Sequence, residues 1–184
     1  VGKKLHGLQH HTLFFDEDFD QHAKDIYEDP RWPEKPLFYV SATSRTDAST
    51  APDGCENLFV LMPVAPGLKD DHFTRERYYD RIMDRLEKLT NQNVRDFVNY
   101  KKSYAQSDFV SDYHAFKGNA YGLANTLKQT AILKPSLKSS KVSNLYYTGQ
   151  LTVPGPGVPP AIISGQVVAK EIEKDFAKAN KVAI

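Results

Sequence analysis

The sequence predicts an α+β / α/β fold: a mixed, largely antiparallel sheet with helices, followed by one closing strand–loop–helix unit. Three observations predict it. Short runs of β-branched and aromatic residues recur early in the chain with turn residues between them. Residues 74–90 instead repeat apolar side chains at helical spacing. The last stretch passes from a strand-like run through a Gly/Pro loop into a second long helical pattern.

Taken in order, residues 11–15 (HTLFF) read as a strand. Residues 16–28 are acidic and then amphipathic, with Phe19, Ala23, Ile26 and Tyr27 at helical spacing. Pro30, Pro33 and Pro36 end that helix and stiffen the loop behind it. Residues 37–43 (LFYVSAT) and 57–64 (NLFVLMPV) read as a second and third strand. Ala51-Pro52-Asp53-Gly54 between them is turn chemistry, which predicts an antiparallel pair. In the helix over 74–90, Thr74 is placed to cap the N-terminus and Tyr78, Ile82, Leu86 and Leu89 form one apolar stripe. Arg75, Arg77, Arg81, Arg85 and Lys88 surround the stripe, either as a solvated face or as a basic surface for anionic lipid headgroups. Residues 94–104 alternate loosely and read as a further strand. Residues 107–115 read as a short helix capped by Ser107 or Asp108. The stretch 118–127 favours no element, and 132–141 is loop-like. Residues 144–148 (NLYYT) read as a strand, 149–158 as a loop and 159–179 as a long helix.

Bulk properties narrow the function classes. A chain of 184 residues suits one domain or two small lobes. Its 24 Lys and Arg balance 23 Asp and Glu, so nothing calls for a nucleic-acid partner. One cysteine, Cys55, rules out an internal disulfide and fits a reducing compartment. No apolar run approaches the about 18 residues of a membrane span. Residues 1–9 lack a signal-peptide pattern, and the chain begins without Met and enters a strand almost at once. A cytoplasmic protein, represented by a piece of its chain, is the expectation.

Most familiar site patterns fail. Asp16, Asp18 and Asp20 are spaced like the first ligands of a calcium loop, but Gln21 and Tyr27 stand where that loop needs Gly and Glu. A helix dipole accounts for acidic residues at a helix start. His6, His10 and His11 have no Cys or carboxylate partner at a zinc spacing. Cys55 lies in a turn without a recognisable base. Neither a Gly-x-Ser-x-Gly elbow nor a phosphate-binding Gly-x-x-x-x-Gly-Lys-Ser/Thr loop occurs.

The informative stretch is NLYYTGQLTVPGPGVPPAIISGQVVAKEI, residues 144–172. Gly149, Gly155 and Gly157 allow backbone to approach a ligand, because no side chain intervenes. Pro154 and Pro156 stiffen the loop, and Pro159 and Pro160 fit a helix's first turn. A helix N-terminus offers N–H groups and a partial positive charge to an electron-rich ring or an anion. Gly165, with Ala161 and Ser164, permits close packing on a sheet. These features alone leave two readings: a plain β–α connection, or a ligand loop. Gly155-Pro156-Gly157 is not the dinucleotide fingerprint Gly-x-Gly-x-x-Gly, since Pro160 occupies the third glycine position.

Asn144-Leu145-Tyr146, Gly149 and the run Pro154-Gly155-Pro156-Gly157-Val158-Pro159 resemble the C-terminal flavin signature of bacterial-type phytoene desaturases and related carotenoid oxidoreductases. Residues 43–63 (TSRTDASTAPDGCENLFVLMP), 118–122 (GNAYG) and Gln129-Thr130 extend the resemblance over most of the chain. It implies a split FAD/NAD(P)-binding, Rossmann-like domain joined to a substrate-binding domain. Residues 1–140 would belong to the substrate domain, and 141–184 would be the last strand, loop and helix of the FAD domain. FAD would be the cofactor. Pro154, Gly155, Gly157 and Val158 would lie against its isoalloxazine ring, with helix N–H groups near the pyrimidine edge. Gly149 and Gln150 would sit by its ribityl chain or pyrophosphate. Many flavoproteins carry an acid where this chain has Gln150. Tyr121 would line the substrate channel or pack in the core. The implied reaction removes hydrogen from an apolar polyene drawn from the bilayer, so peripheral membrane contact is expected. The dinucleotide turn of the family's N-terminal part is absent from these residues, so this stretch alone is expected to bind FAD weakly or not at all and to be inactive. The resemblance leaves room for a carotenoid ketolase, a carotenoid isomerase or a retinol saturase. A non-catalytic module for an apolar ligand or membrane surface is the reading outside the enzyme class.

Overall fold

The computed structural model describes residues 1–124, 126–130 and 133–182, the side chains of 178–182 excepted. Asn125 in the unassigned stretch and Ile132 at the start of the predicted loop lie outside the described residues. The chain divides into two compact units, 1–119 and 120–184.

The first unit holds β1 (His11–Phe14), α1 (Phe19–Tyr27), β2 (Phe38–Ser41), β3 (Phe59–Leu61), α2 (His72–Thr90) and α3 (Gln106–Tyr113). The strands form one antiparallel sheet in the order β1-β2-β3, with Leu13 opposite Tyr39 and Tyr39 opposite Leu61. The predicted β2/β3 pair forms, and Gly54 takes φ +74° in the connection between them. Side chains alternate across a sheet, so Thr12, Phe14, Phe38, Val40 and Val60 share one face. The Phe14 and Phe38 rings stack there with centroids 4.5 Å apart. Ile82, Met83 and Leu86 of α2 close over this face, and Leu5, Leu8 and Val94 complete the core. On the opposite face Leu13 and Phe59 stand more than half exposed.

Several sequence expectations are corrected here. The amphipathic pattern of α1 predicts Phe19 and Tyr27 inward, yet both are exposed while His22 and Asp25 are buried. The burial is tolerated because each polar group is bonded. His22 Nε2 donates to the Pro63 carbonyl at 2.9 Å, and Nδ1 accepts from Leu37 N–H at 3.1 Å. Asp25 accepts from Gln21 at 2.9 Å and from Arg31 at 2.7 Å. Helix α2 starts at His72, and its cap is Asp71, which accepts from Thr74 N–H at 2.9 Å; Thr74 is inside the helix. Met83 joins the buried stripe, and Leu89 remains 44% exposed.

Three arginines of α2 prove to be internal clamps. Arg75 reaches Asp70 at 2.6 Å, Asp108 at 2.8 Å and the Ser107 hydroxyl at 2.7 Å. Arg81 donates to the Glu34 carbonyl at 2.9 Å, and Arg85 bonds the Pro36 carbonyl and Asp16. These side chains tie the proline loop and α3 to α2. Asp18, from the same acidic run as Asp16, caps α1 by accepting from Gln21 N–H at 3.0 Å.

Residues 94–104 form no strand. Their amides are committed elsewhere: Val94 and Arg95 N–H donate to Glu87 at 2.6 and 2.7 Å, and the Phe97 carbonyl accepts from Gly2 N–H at 2.7 Å. A single 3₁₀ turn, Arg95–Phe97, results. Helix α3 begins one residue before the predicted start, with Asp108 reaching back to Ala105 N–H at 2.8 Å. Asp70 accepts from Ser107 N–H at 3.1 Å and so caps α3 from outside it.

The second unit contains a 3₁₀ turn, Leu127–Gln129, and the long helix α4 (Val158–Val182). The predicted strand over 144–148 is not formed. Tyr146 makes one antiparallel bridge, to Lys138, flanked by bonds from Ser139 N–H to Leu145 O and from Tyr147 N–H to Leu137 O. A strand is defined by hydrogen-bonded neighbours, and among the described residues this segment meets only that short stretch.

Candidate functional site

The loop leading into α4 is held from both ends. At its entrance, the Tyr146 hydroxyl donates to Asp175 at 2.6 Å, and Lys138 pairs with the same carboxylate. Hydrogen bonding to Asp175 is the leading cause that raises both the Tyr146 and the Lys138 pKa, so the tyrosine stays protonated and the lysine charged. These contacts fix the C-terminal half of α4 against the bridge that precedes the loop.

Ser164 sets the next turn. It is fully buried, and its Oγ bonds Thr148 Oγ1 and accepts from Gly149 N–H, each at 2.7 Å. The same hydroxyl donates to the Ala161 carbonyl at 2.6 Å. One side chain on the second turn of α4 thus pins the residue pair at which the loop leaves the bridge. Thr152, buried, donates its hydroxyl to the Gly149 carbonyl at 2.9 Å and closes the turn. Gly149 takes φ +108°, Gly155 +149° and Gly157 +102°. A side chain is disfavoured in that region of backbone space. Val153-Pro154 is a cis peptide.

All six predicted cofactor-contacting residues, Gly149, Gln150, Pro154, Gly155, Gly157 and Val158, fall in this loop and the first residue of α4. Gln150 is engaged with the protein: its Nε2 donates to the Ala120 carbonyl at 3.2 Å. A Cβ built on Gly122 would come within 2.1 Å of Cδ2 of the half-exposed Leu151. These two contacts bring the segment carrying Tyr121 beside the loop. Tyr121 itself is 62% exposed and is not core.

The start of α4 has a particular donor chemistry. Its first three residues are Val158, Pro159 and Pro160, and only Val158 carries an amide hydrogen. The next amide, Ala161 N–H, donates to the Gly157 carbonyl at 3.0 Å. The positive helix end therefore offers fewer N–H groups than a helix start without proline.

Sequence reasoning passed over Ser164, Thr152, Asp175 and the buried Lys134. Ser164 was visible only as a small residue beside Gly165. A hydroxyl that bonds a backbone N–H fifteen positions away leaves no local spacing signal.

Residues 11–173 match the family described as flavin containing amine oxidoreductase. The chain is 46% identical over 170 residues to a carotenoid 3,4-desaturase of Haloarcula japonica, covering 92% of this chain and 34% of that protein. It is 33% identical over 177 residues to 4,4'-diaponeurosporene oxygenases of two Staphylococcus aureus strains, RF122 / ET3-1 and MSSA476, covering 95% of this chain and 35% of each relative. The chain spans about a third of the length of these curated relatives.

Proposed function

The chain belongs to the flavin containing amine oxidoreductase family, and from that premise we propose that it is the C-terminal part of an FAD-dependent phytoene desaturase type of enzyme, acting on a carotenoid precursor. Membership implies FAD as the cofactor. In this reading residues 1–140 contribute to the substrate-binding domain and 141–184 close the FAD-binding domain.

The observation that carries the reading is the loop into α4. Three glycines at positive φ leave its backbone without side chains at Gly149, Gly155 and Gly157, and a Cβ on Gly149 would meet nothing within 4 Å. The residues present fit a flat ring laid against main chain. The names of the relatives support a polyene as the substrate class.

FAD, when bound, supplies the acceptor for the hydride taken from the polyene. The chain's own contribution is to hold and polarise. Gly155 and Gly157 would present bare backbone to the ring, and Pro154 and Val158 would flank it. Val158 N–H and the positive end of α4 would favour negative charge on a ring held there. Gly149 and Gln150 flank the more polar part of the cofactor. Tyr121 offers an exposed aromatic surface to the substrate. No helix among the described residues is long and apolar enough to cross a membrane. Contact with a bilayer, from which an apolar polyene must be drawn, is peripheral in this proposal.

A second reading is favoured by the likeness to the diaponeurosporene oxygenases: oxidation of a polyene end by addition of oxygen. Product analysis separates the two. The longer protein, encoded with its upstream region, is incubated with acyclic polyenes and an electron acceptor. Loss of paired hydrogens with a longer conjugated chromophore is the expected result. Oxygen in the product would replace the first reading by the second.

A further inference from the structure

Lys134 is only 8% exposed, whereas Lys138 and Lys174 of the same unit lie at its surface. A Cβ built on Gly155 would lie 3.7 Å from Lys134 Cε and 3.9 Å from its Nζ. The ammonium group is thus brought against the backbone of the glycine–proline loop, at a point where the loop has no side chain to keep it away. Gly155 is itself buried, so charge and loop share a poorly hydrated setting. In such a setting a charge acts over several ångströms with little screening.

The same loop opens a helix whose second and third residues are prolines, so backbone N–H groups supply little of the positive potential there. A lysine behind Gly155 supplies what the prolines withhold. Reduction of a flavin places negative charge on its pyrimidine side, and a nearby cation favours the reduced over the oxidised form.

We propose that Lys134 is the electrostatic partner of the flavin in this protein, acting from behind Gly155 to stabilise the reduced cofactor. The inference rests on the reading of residues 154–158 as the flavin loop. It assigns Lys134 to tuning of the redox equilibrium, not to proton transfer or to substrate contact.

The test uses the longer flavin-loaded protein and its Lys134→Met, Lys134→Arg and Gly157→Leu variants, with flavin absorbance and flavin midpoint potential as readouts. Lys134→Met is expected to keep its flavin and to lose about tenfold in the preference for the reduced form, a fall of about 30 mV for a two-electron couple. Lys134→Arg, which keeps the charge, is expected to remain near the unsubstituted potential. An unchanged potential in Lys134→Met overturns the assignment. So does an equal fall in Met and Arg variants, because shape and not charge would then be responsible. If Lys134→Met does not fold, Lys134→Gln is judged by the same criteria. Gly157→Leu keeps the underlying reading separate: its loss of flavin supports the loop, whatever Lys134 does. Full retention of flavin in folded Gly157→Leu would refute the loop reading and remove the basis of this inference with it.

Discussion

At the scale of single residues, the described contacts concentrate on a few polar nodes. Asp70 is one. It accepts from Arg75, from Ser107 N–H and from the Ser107 hydroxyl, at 2.6, 3.1 and 3.0 Å, and its side chain is 9% exposed. Burial alone would raise its pKa, but the Ser107 N–H, Arg75 and the Ser107 hydroxyl together outweigh it and hold the carboxyl below its usual range. A carboxylate whose pKa is depressed on folding stabilises the fold above the unfolded pKa, and this stability is lost as pH falls through the folded value. Asp70→Ala should cost about 2 kcal/mol at neutral pH, the scale of hydrogen bonds to a charged group. The difference from the unsubstituted protein should shrink as the pH is taken below the ordinary carboxylate range. Denaturant midpoints of both proteins across that range would check this, and a gap independent of pH would contradict it. None of this node was legible in the sequence. Asp70 and Ser107 lie 37 positions apart, and the arginines that look like a surface stripe are drawn inward by acceptors on distant segments.

At the scale of elements, legibility follows the kind of force that makes each one. Helix α2 and the β2/β3 pair were readable because local periodicity and turn chemistry specify them. The stripe was right at Tyr78, Ile82 and Leu86 and wrong at Leu89, which lies outside the buried core cluster. That difference is measurable. Leu86 is fully buried in the core cluster, so Leu86→Ala should destabilise by about 2–5 kcal/mol. Leu89→Ala, at 44% exposure, should stay within about 0.5 kcal/mol of the parent. Equal losses in thermal or denaturant unfolding would mean that the register of α2 on the sheet is different. The segments misread were those decided by partners. Residues 94–104 alternate like a strand, but Glu87 and Gly2 take their hydrogen bonds. Residues 144–148 have strand composition, but among the described residues their backbone pairs only with Lys138 and its neighbours. The helix α1 is amphipathic in sequence and yet buries His22 and Asp25, because Pro63, Leu37, Gln21 and Arg31 satisfy them.

At the scale of the whole molecule, the family was legible and the supporting framework was not. The run from Asn144 to Pro159 carries its signal in glycines and prolines, whose backbone demands survive in any sequence that keeps the loop. The matched family and the positive-φ glycines agree with that signal. The residues that hold the loop, Ser164, Thr152 and Asp175, act through hydrogen bonds to positions far along the chain or to main-chain atoms, which leave no local spacing signal. In the proposed function the loop over 154–158 holds FAD, and the longer protein supplies the rest of the cofactor's site. The most direct test is the visible absorption spectrum of three purified proteins: the longer protein, its Gly157→Leu variant and residues 1–184 alone. A side chain at Gly157 would have to adopt φ +102°, with its Cβ 3.6 Å from Pro160 Cδ, and would reshape the loop. Flavin bands in the longer protein, with their loss in a folded Gly157→Leu variant and their absence from residues 1–184, are the predicted result. A folded longer protein without flavin, or a Gly157→Leu variant with its flavin unchanged, would contradict it.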